Sequence, residues 1–254
     1  LGIYGALSSF LGTGVEFIEA LTIILAVGAV RGWKSAVLGG LSAVVVLGVL
    51  VAIIGAPLVH IMEVRWVQLI VGLFMLLFGI RWLRKAILRY SGLKSLHSEA
   101  DNYEEELARQ QAAGEVAQGI DKFAFATAFS GTFLEGLEAI FIVITFGLST
   151  KSMGPAVMGA AAAFVVIALL GVALRKPLSA VPENTMKFVV GVMLTSFGAF
   201  WAGESMKVAW PQGDVSIIYL IATLIVMSFL LVQWIKAALK KSASVDSAQT
   251  GVSA

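Results

Sequence analysis

Three stretches of this sequence, 35–59, 152–174 and 215–235, contain no Asp, Glu, Lys or Arg. Each is long enough to cross the hydrocarbon core of a bilayer as a helix. The rest of the chain agrees: 59% of its 254 residues are hydrophobic, 13% are charged, and the mean hydropathy is +0.92. A lipid-embedded backbone must satisfy its own hydrogen bonds, and runs of this length do so as helices. The expected fold class is therefore an all-α polytopic membrane protein. Seven spans follow in order, at about 6–29, 35–54, 64–87, 123–148, 154–174, 185–206 and 215–235. Arg31-Gly-Trp-Lys34 forms a tight turn between the first two, and Gly55, Pro57 and His60 mark the next. Residues 90–120 form the one long polar connection, with an acidic stretch at 99–106 that suits a surface helix. No separate cleavable leader is expected, because the first apolar segment carries acids that belong to the body of the fold. The absence of cysteine removes disulfides and thiolate ligands. A net charge of +2, with its bases at segment ends, gives no basis for nucleic-acid binding.

Two of these spans carry carboxylates where few are tolerated. Phe10 to Gly28 reads FLGTGVEFIEALTIILAVG and Phe129 to Gly147 reads FSGTFLEGLEAIFIVITFG, so Phe, Gly, Thr, Glu, Glu, Ala, Ile and Gly recur at a constant offset of 119. Glu16 and Glu19, and again Glu135 and Glu138, are three residues apart and share a helix face, with Thr13 or Thr132 one turn earlier. Val71, Gly72, Phe78, Gly79 and Trp82 match Val190, Gly191, Phe197, Gly198 and Trp201 at the same offset. The expected architecture is thus seven transmembrane helices as a 3+3 inverted repeat plus one, since an odd number of spans per copy makes the second enter from the opposite side. The corresponding division is 1–89 for the first repeat, 90–120 for the polar connection, 121–207 for the second repeat, 208–241 for the seventh span and 242–254 for a disordered tail.

Lys and Arg collect at Arg31 and Lys34, from Arg81 to Lys94, at Arg175 and Lys176, and at Lys236, Lys240 and Lys241. With seven spans these lie on one side, which places the N-terminus outside and the C-terminus in the cytoplasm. At 1.5 Å per residue, Glu16 lies roughly 15 Å into its span and Glu135 roughly 18 Å into its own, so both pairs sit near mid-membrane. Two antiparallel helices would gather four carboxylates there, with no basic residue inside either motif. Like charges so held must bind protons or a cation. Glu16, Glu19, Glu135 and Glu138, with Thr13 and Thr132, are accordingly the candidate ligands of a hard metal ion. Gly12, Gly28, Gly131 and Gly147, and the pairs Gly72/Gly79 and Gly191/Gly198, read as close-packing glycines. Met75, Met153, Met158 and Met193 read as core filling, His60 and His97 as solvated connection residues, and Trp33, Trp66, Trp82 and Trp210 as interfacial anchors. Glu204 is either part of an entrance or an interfacial charge.

Paired glutamates in the first and fourth of seven spans resemble the oxidase-coupled, high-affinity iron permeases of fungi and their bacterial relatives, whose signature is Arg-Glu-Gly-Leu-Glu. Glu135-Gly-Leu-Glu138 matches its last four positions and Glu16-Phe-Ile-Glu19 keeps the acids, while Val15 and Leu134 stand where the signature has arginine. A weaker likeness, to small inverted-repeat cation exchangers, rests on architecture, since neither copy has their Glu-x-Gly-Asp-Lys/Arg pattern. The resemblance implies that the four glutamates carry the metal. The resulting expectation is a non-enzymatic transporter of iron, manganese or another divalent or trivalent ion, working by alternating access and coupled to protons. It implies no permanently bound cofactor, a bacterial inner membrane setting, and a homo-oligomer or a redox or metal-delivery partner. A proton-coupled carrier of another cation or small solute, an intramembrane hydrolase using two acids, and a membrane assembly or receptor protein are the competing readings.

Overall fold

The structure, a computed structural model, describes residues 2–61, 64–94, 99–174 and 182–250. Eight α-helices run in order: α1 (Gly2–Arg31), α2 (Trp33–Ile61), α3 (Arg65–Tyr90), α4 (Glu99–Ala112), α5 (Lys122–Ser149), α6 (Met153–Leu174), α7 (Glu183–Ser205) and α8 (Ser216–Thr250). All but α4 are long and apolar enough to cross a membrane, and there is no strand among the described residues. Gly55, Pro57 and His60 do not mark a turn. Helix α2 continues through them to Ile61, as a proline can within an apolar helix whose freed carbonyl finds another partner. Helix α8 extends to Thr250, past Lys241 where the Ser- and Ala-rich tail begins. Glu63, His97, Arg175 and Lys176 lie outside the described residues, as does the side chain of His60.

The helices pack as two compact units, each drawing on both halves of the sequence: Leu1–Gln68 with Ser98–Met186, and Leu69–His97 with Lys187–Ala254. In the first, α1 and α5 run antiparallel, since Gly5 lies against Thr150 and Gly131 against Ile23. Helix α6 lies parallel to α1, with Gly159 on the Ala6 carbonyl and Gly171 on Leu21. Helix α2 lies parallel to α5 in the same manner, with Gly39 on the Phe125 carbonyl and Gly136 on Leu47. Ala6 and Phe125 are themselves 119 positions apart, so the repeat survives as backbone contact.

In the second unit the correspondence is closer. A β-carbon on Gly72 would sit 2.7 Å from the Ala202 nitrogen, and one on Gly191 would sit 3.0 Å from that of Leu83. Likewise Gly79 faces the Thr195 nitrogen at 2.5 Å and Gly198 faces that of Leu76. Each contact maps onto its partner by the 119 offset, as a two-fold axis between antiparallel α3 and α7 requires. Without a hydrophobic force between helices in lipid, this close approach of backbones holds them together. Trp82 belongs to this interface and is not an interfacial anchor: it is 3% exposed, with the Phe78 ring 5.4 Å away and the Lys187 ammonium 5.7 Å over its ring. Its place one turn after Gly79 puts it on the packed face. Trp33 and Trp66 are exposed, as an anchoring role allows.

The polar groups of the first unit converge on one buried ion pair. Arg31, the last residue of α1, lies 3.1 Å from the Asp121 carboxylate, with both side chains 3% exposed. Its guanidinium also donates to the carbonyls of Gln110, Gly114 and Glu115, at 3.1 to 3.2 Å, and lies over the Phe123 ring. Asp121 caps α5 by accepting from the Ala124 N–H at 2.9 Å, accepts from the Ala117 N–H, and donates its own backbone N–H to the Ser35 hydroxyl oxygen of α2. The Ala124 N–H above all, aided by the Ala117 N–H and Arg31 and opposed by burial, holds the Asp121 carboxyl down at about 2, against an ordinary 3.8.

The unfolded Asp121 carboxyl binds protons more readily than the folded one, so its contribution to stability is complete above its ordinary value of 3.8 and is lost as pH falls through about 2. Thermal melts of detergent-solubilised protein should show that loss in the parent and a flatter dependence over the same window in Asp121→Asn. The variant should also be less stable near neutrality, by about 3–5 kcal/mol, because Arg31 would be left buried without its charge partner. For the α3–α7 interface, Gly79→Ala and Gly198→Ala should each cost about 1–3 kcal/mol and by similar amounts, since symmetry-related backbone must move. Gly48→Ala, with nothing within 4 Å of the added carbon, should leave the melting temperature within error.

Candidate metal centre

Glu16 lies near the middle of the 30-residue α1 and Glu135 near the middle of the 28-residue α5. The antiparallel packing of these helices brings the carboxylates together from opposite chain directions. One oxygen from each of Glu16, Glu19 and Glu135 lies within 4.8 Å of the other two. Two oxygens bound to one hard cation at about 2.0–2.6 Å stand at most about 4.0–5.2 Å apart, so separations within 4.8 Å are compatible with three ligands converging on one ion. Glu16 is 1% exposed, whereas Glu19 and Glu135 are half-buried.

Three of the four glutamates expected from the sequence to form one cluster make up this group. Glu138, half-buried on the next turn of α5, is not in the group. The repeat offset of 119 relates Glu19 and Glu135 to Glu138 and Glu16. Thr13 and Thr132, one turn before each pair, are both buried but differ in their bonding. Thr13 donates to the Ser9 carbonyl at 2.8 Å, as Thr22 does to Ile18, whereas the Thr132 hydroxyl has no hydrogen-bond partner among the described residues.

The glutamates open onto a cavity of about 510 Å³, lined by Glu19, Thr22 and Ile23 of α1, Glu135 of α5, and Asn102, Glu105, Glu106 and Arg109 of α4. The four α4 residues recur at i, i+3, i+4 and i+7, which places them on one face of that helix. They are the functional candidates that span-by-span reading misses, because α4 is too polar to count as a span and reads as a surface helix. Their spacing was the available signal. Anchoring comes from Arg31, whose bonds to Gln110, Gly114 and Glu115 tie the C-terminal end of α4 to the end of α1. Helix α4 thereby reaches back along the last turns of α1 toward Glu19. Four carboxylates and one guanidinium thus surround the cavity, an arrangement suited to attracting and holding cations.

The packing glycines behave as their spacing suggests. Gly28 leaves room for the Trp33 ring, Gly131 for Ile23 and Gly147 for Met153. Met75 is buried and Met158 exposed, and neither is part of the carboxylate group. Glu204 is exposed near the end of α7.

Comparison with known proteins agrees with this chemistry. The sequence profile of one family, described as ferrous iron uptake permease, iron-lead transporter, matches residues 82–233. That range contains Glu135, Glu138 and the cavity face of α4. No curated protein and no solved structure gives a significant match. With more than half of its length matched and seven membrane-length helices, the chain is an integral membrane protein belonging to the ferrous iron uptake permease family.

Proposed function

We propose that this protein carries ferrous iron, or a divalent ion of similar size and hardness, across a membrane by way of Glu16, Glu19 and Glu135. The observation that carries this reading is the meeting of three carboxylate oxygens within 4.8 Å, at the middle of two antiparallel membrane-length helices. Carboxylates at that depth are costly to hold ionised without compensation, and no basic residue lies inside either motif. A cation or protons must supply it. Thr132, buried and without a hydrogen-bond partner among the described residues, is a further oxygen for an incoming ion, and Thr13 offers its remaining lone pair.

Glu138 has a different part in this reading. The cavity reaches Glu19 and Glu135, and the repeat offset relates that pair to Glu138 and Glu16. Exposure of Glu19 and Glu135 to one side, followed by exposure of Glu138 and Glu16 to the other, would move an ion through the middle of the fold. The two three-span repeats, 1–89 and 121–207, are the elements whose packing would exchange. The side bearing α4 is the cytoplasmic one if Lys and Arg follow their usual bias, which leaves the N-terminus outside.

Ferrous iron uptake into proteoliposomes under anaerobic conditions tests the site. Glu16→Gln, Glu19→Gln and Glu135→Gln should each reduce uptake at least about tenfold while melting close to the parent, because shape is kept and a charged ligand is lost. Glu138→Gln should bind ferrous iron nearly as the parent does yet turn over slowly. Parental uptake in all four variants would remove the site.

Protons provide a second test. An arriving divalent ion favours ionised carboxylates and expels the protons they carry, so binding should release protons and weaken as the pH falls. The neighbouring charges, Glu105, Glu106 and Arg109, modulate this exchange but are not its source. Addition of ferrous iron to weakly buffered protein in detergent should acidify the solution, and the signal should vanish when Glu16, Glu19, Glu135 and Glu138 are all glutamine. Binding without proton release, together with an affinity unchanged between neutral and mildly acidic pH, would show that proton exchange has no part.

A further inference from the structure

We propose that Arg109 is the resident counter-cation of the carboxylate cavity, displaced when a metal ion arrives, and that it sets the affinity with which the ion is taken up. This rests on the reading of Glu19 and Glu135 as part of the ion site. Among the residues lining the cavity the charged ones are Glu19, Glu105, Glu106, Glu135 and Arg109, so a single fixed positive charge faces four carboxylates. An arginine stays protonated throughout the physiological range, so its charge leaves the site only by movement of the side chain.

The geometry around Arg109 combines a fixed base with a mobile head. The base is fixed because Arg31 binds the carbonyl of the adjacent Gln110 at 3.1 Å. Gln110 is buried and donates through its amide to one oxygen of Glu106 at 2.7 Å, which holds that carboxylate in place. Arg109 meets the other oxygen of Glu106 at 3.3 Å, yet its side chain is 63% exposed. An exposed pair of this kind contributes little to stability and can be broken cheaply. Arg109 therefore has a parking place on Glu106 at the cavity wall. Its long side chain neutralises the acidic cavity when no metal is bound and can yield to a divalent ion. Neither motif supplies a base of its own, with Val15 and Leu134 ahead of the first glutamates. The compensating charge reaches the cavity from outside the spans, on α4.

The sign of the effect follows. A positive charge near the path repels an arriving cation and competes for the same carboxylates, so its removal should tighten metal uptake and slow release. Ferrous iron transport should be measured in proteoliposomes for the parent, Arg109→Gln, Arg109→Ala and Arg109→Lys, with Glu19→Gln alongside. Both neutral variants should lower the KM for ferrous iron by on the order of three- to thirtyfold, with a lower maximal rate, and Arg109→Lys should stay close to the parent. Because the side chain is exposed, all three should melt like the parent. A KM unchanged in both neutral variants while Glu19→Gln abolishes uptake would overturn the role of Arg109 and leave the ion site standing. Equal shifts in Arg109→Lys and Arg109→Gln would overturn it as well, since charge would not be the cause. Undiminished uptake by Glu19→Gln would instead remove the site on which the proposal rests.

Discussion

The buried pair of Arg31 and Asp121 is the interaction on which the first unit's polar architecture depends. Two ions removed from water gain little unless every remaining donor and acceptor is used, and here they are. Arg31 spends its donors on Asp121 and on three carbonyls around the end of α4, while Asp121 spends its oxygens on the guanidinium and on two backbone N–H groups. The result joins the C-terminus of α1, the start of α2 through Ser35, the end of α4 and the start of α5 at one point. A positive group at the negative end of α4 and an anion at the positive end of α5 also complement the dipoles of those helices. A connection that would otherwise lie loose on the surface becomes a wall of the carboxylate cavity.

Glycine supplies the other constraint. In the second unit, α3 and α7 approach until backbone nitrogens occupy the space a β-carbon would need, at Gly72, Gly79, Gly191 and Gly198. In the first, Gly39 and Gly159 admit carbonyl oxygens in the same way. Close contact of this kind replaces the hydrophobic effect that lipid removes. It also sets the distance at which α1 and α5 present their acids, because each of these helices is flanked by a partner held at glycine spacing.

Much of this was legible in the sequence because membrane burial restricts what a residue can mean. Uncharged runs of span length admit few structures, and a glutamate such as Glu16 in such a run demands a compensating group. The 119 offset carried the antiparallel arrangement of α3 with α7, and Gly72 and Gly191 occupy equivalent contacts as the pattern implied. Arg31 was the hardest residue to read. At a segment end beside Lys34 it looks like one more headgroup-seeking base, and only Asp121, ninety positions away, makes it a buried one. Trp82 was misplaced for a related reason: nearness to a helix end suggests an anchor, whereas its helical phase relative to Gly79 decides its burial. The face of α4 was obscured because 99–106 reads as a run of acid. Its division into a cavity side at Asn102, Glu105, Glu106 and Arg109 depends on what the helix packs against.

The repeat also bears on how an ion could pass. If the repeat were obeyed at the carboxylates, Glu16 and Glu138 would approach one another as Glu19 and Glu135 do, and the site would present the same face to both sides of the membrane. A carrier opens such a site to one side at a time, so the two working arrangements must differ in which side is open. Glu19 and Glu135 line a cavity, and the three-oxygen group is made of Glu16, Glu19 and Glu135. On the proposed reading, helix α4, tied by Arg31 to the end of α1, would bias the exchange toward the arrangement in which the Glu19 side is open. A bias of about 1–3 kcal/mol would suffice to populate one state about 5- to 150-fold over the other while leaving both within reach of a bound ion. On the proposed reading the repeat would make two states similar in energy, and α4, which lies outside the repeated spans, would decide which of them the empty protein occupies.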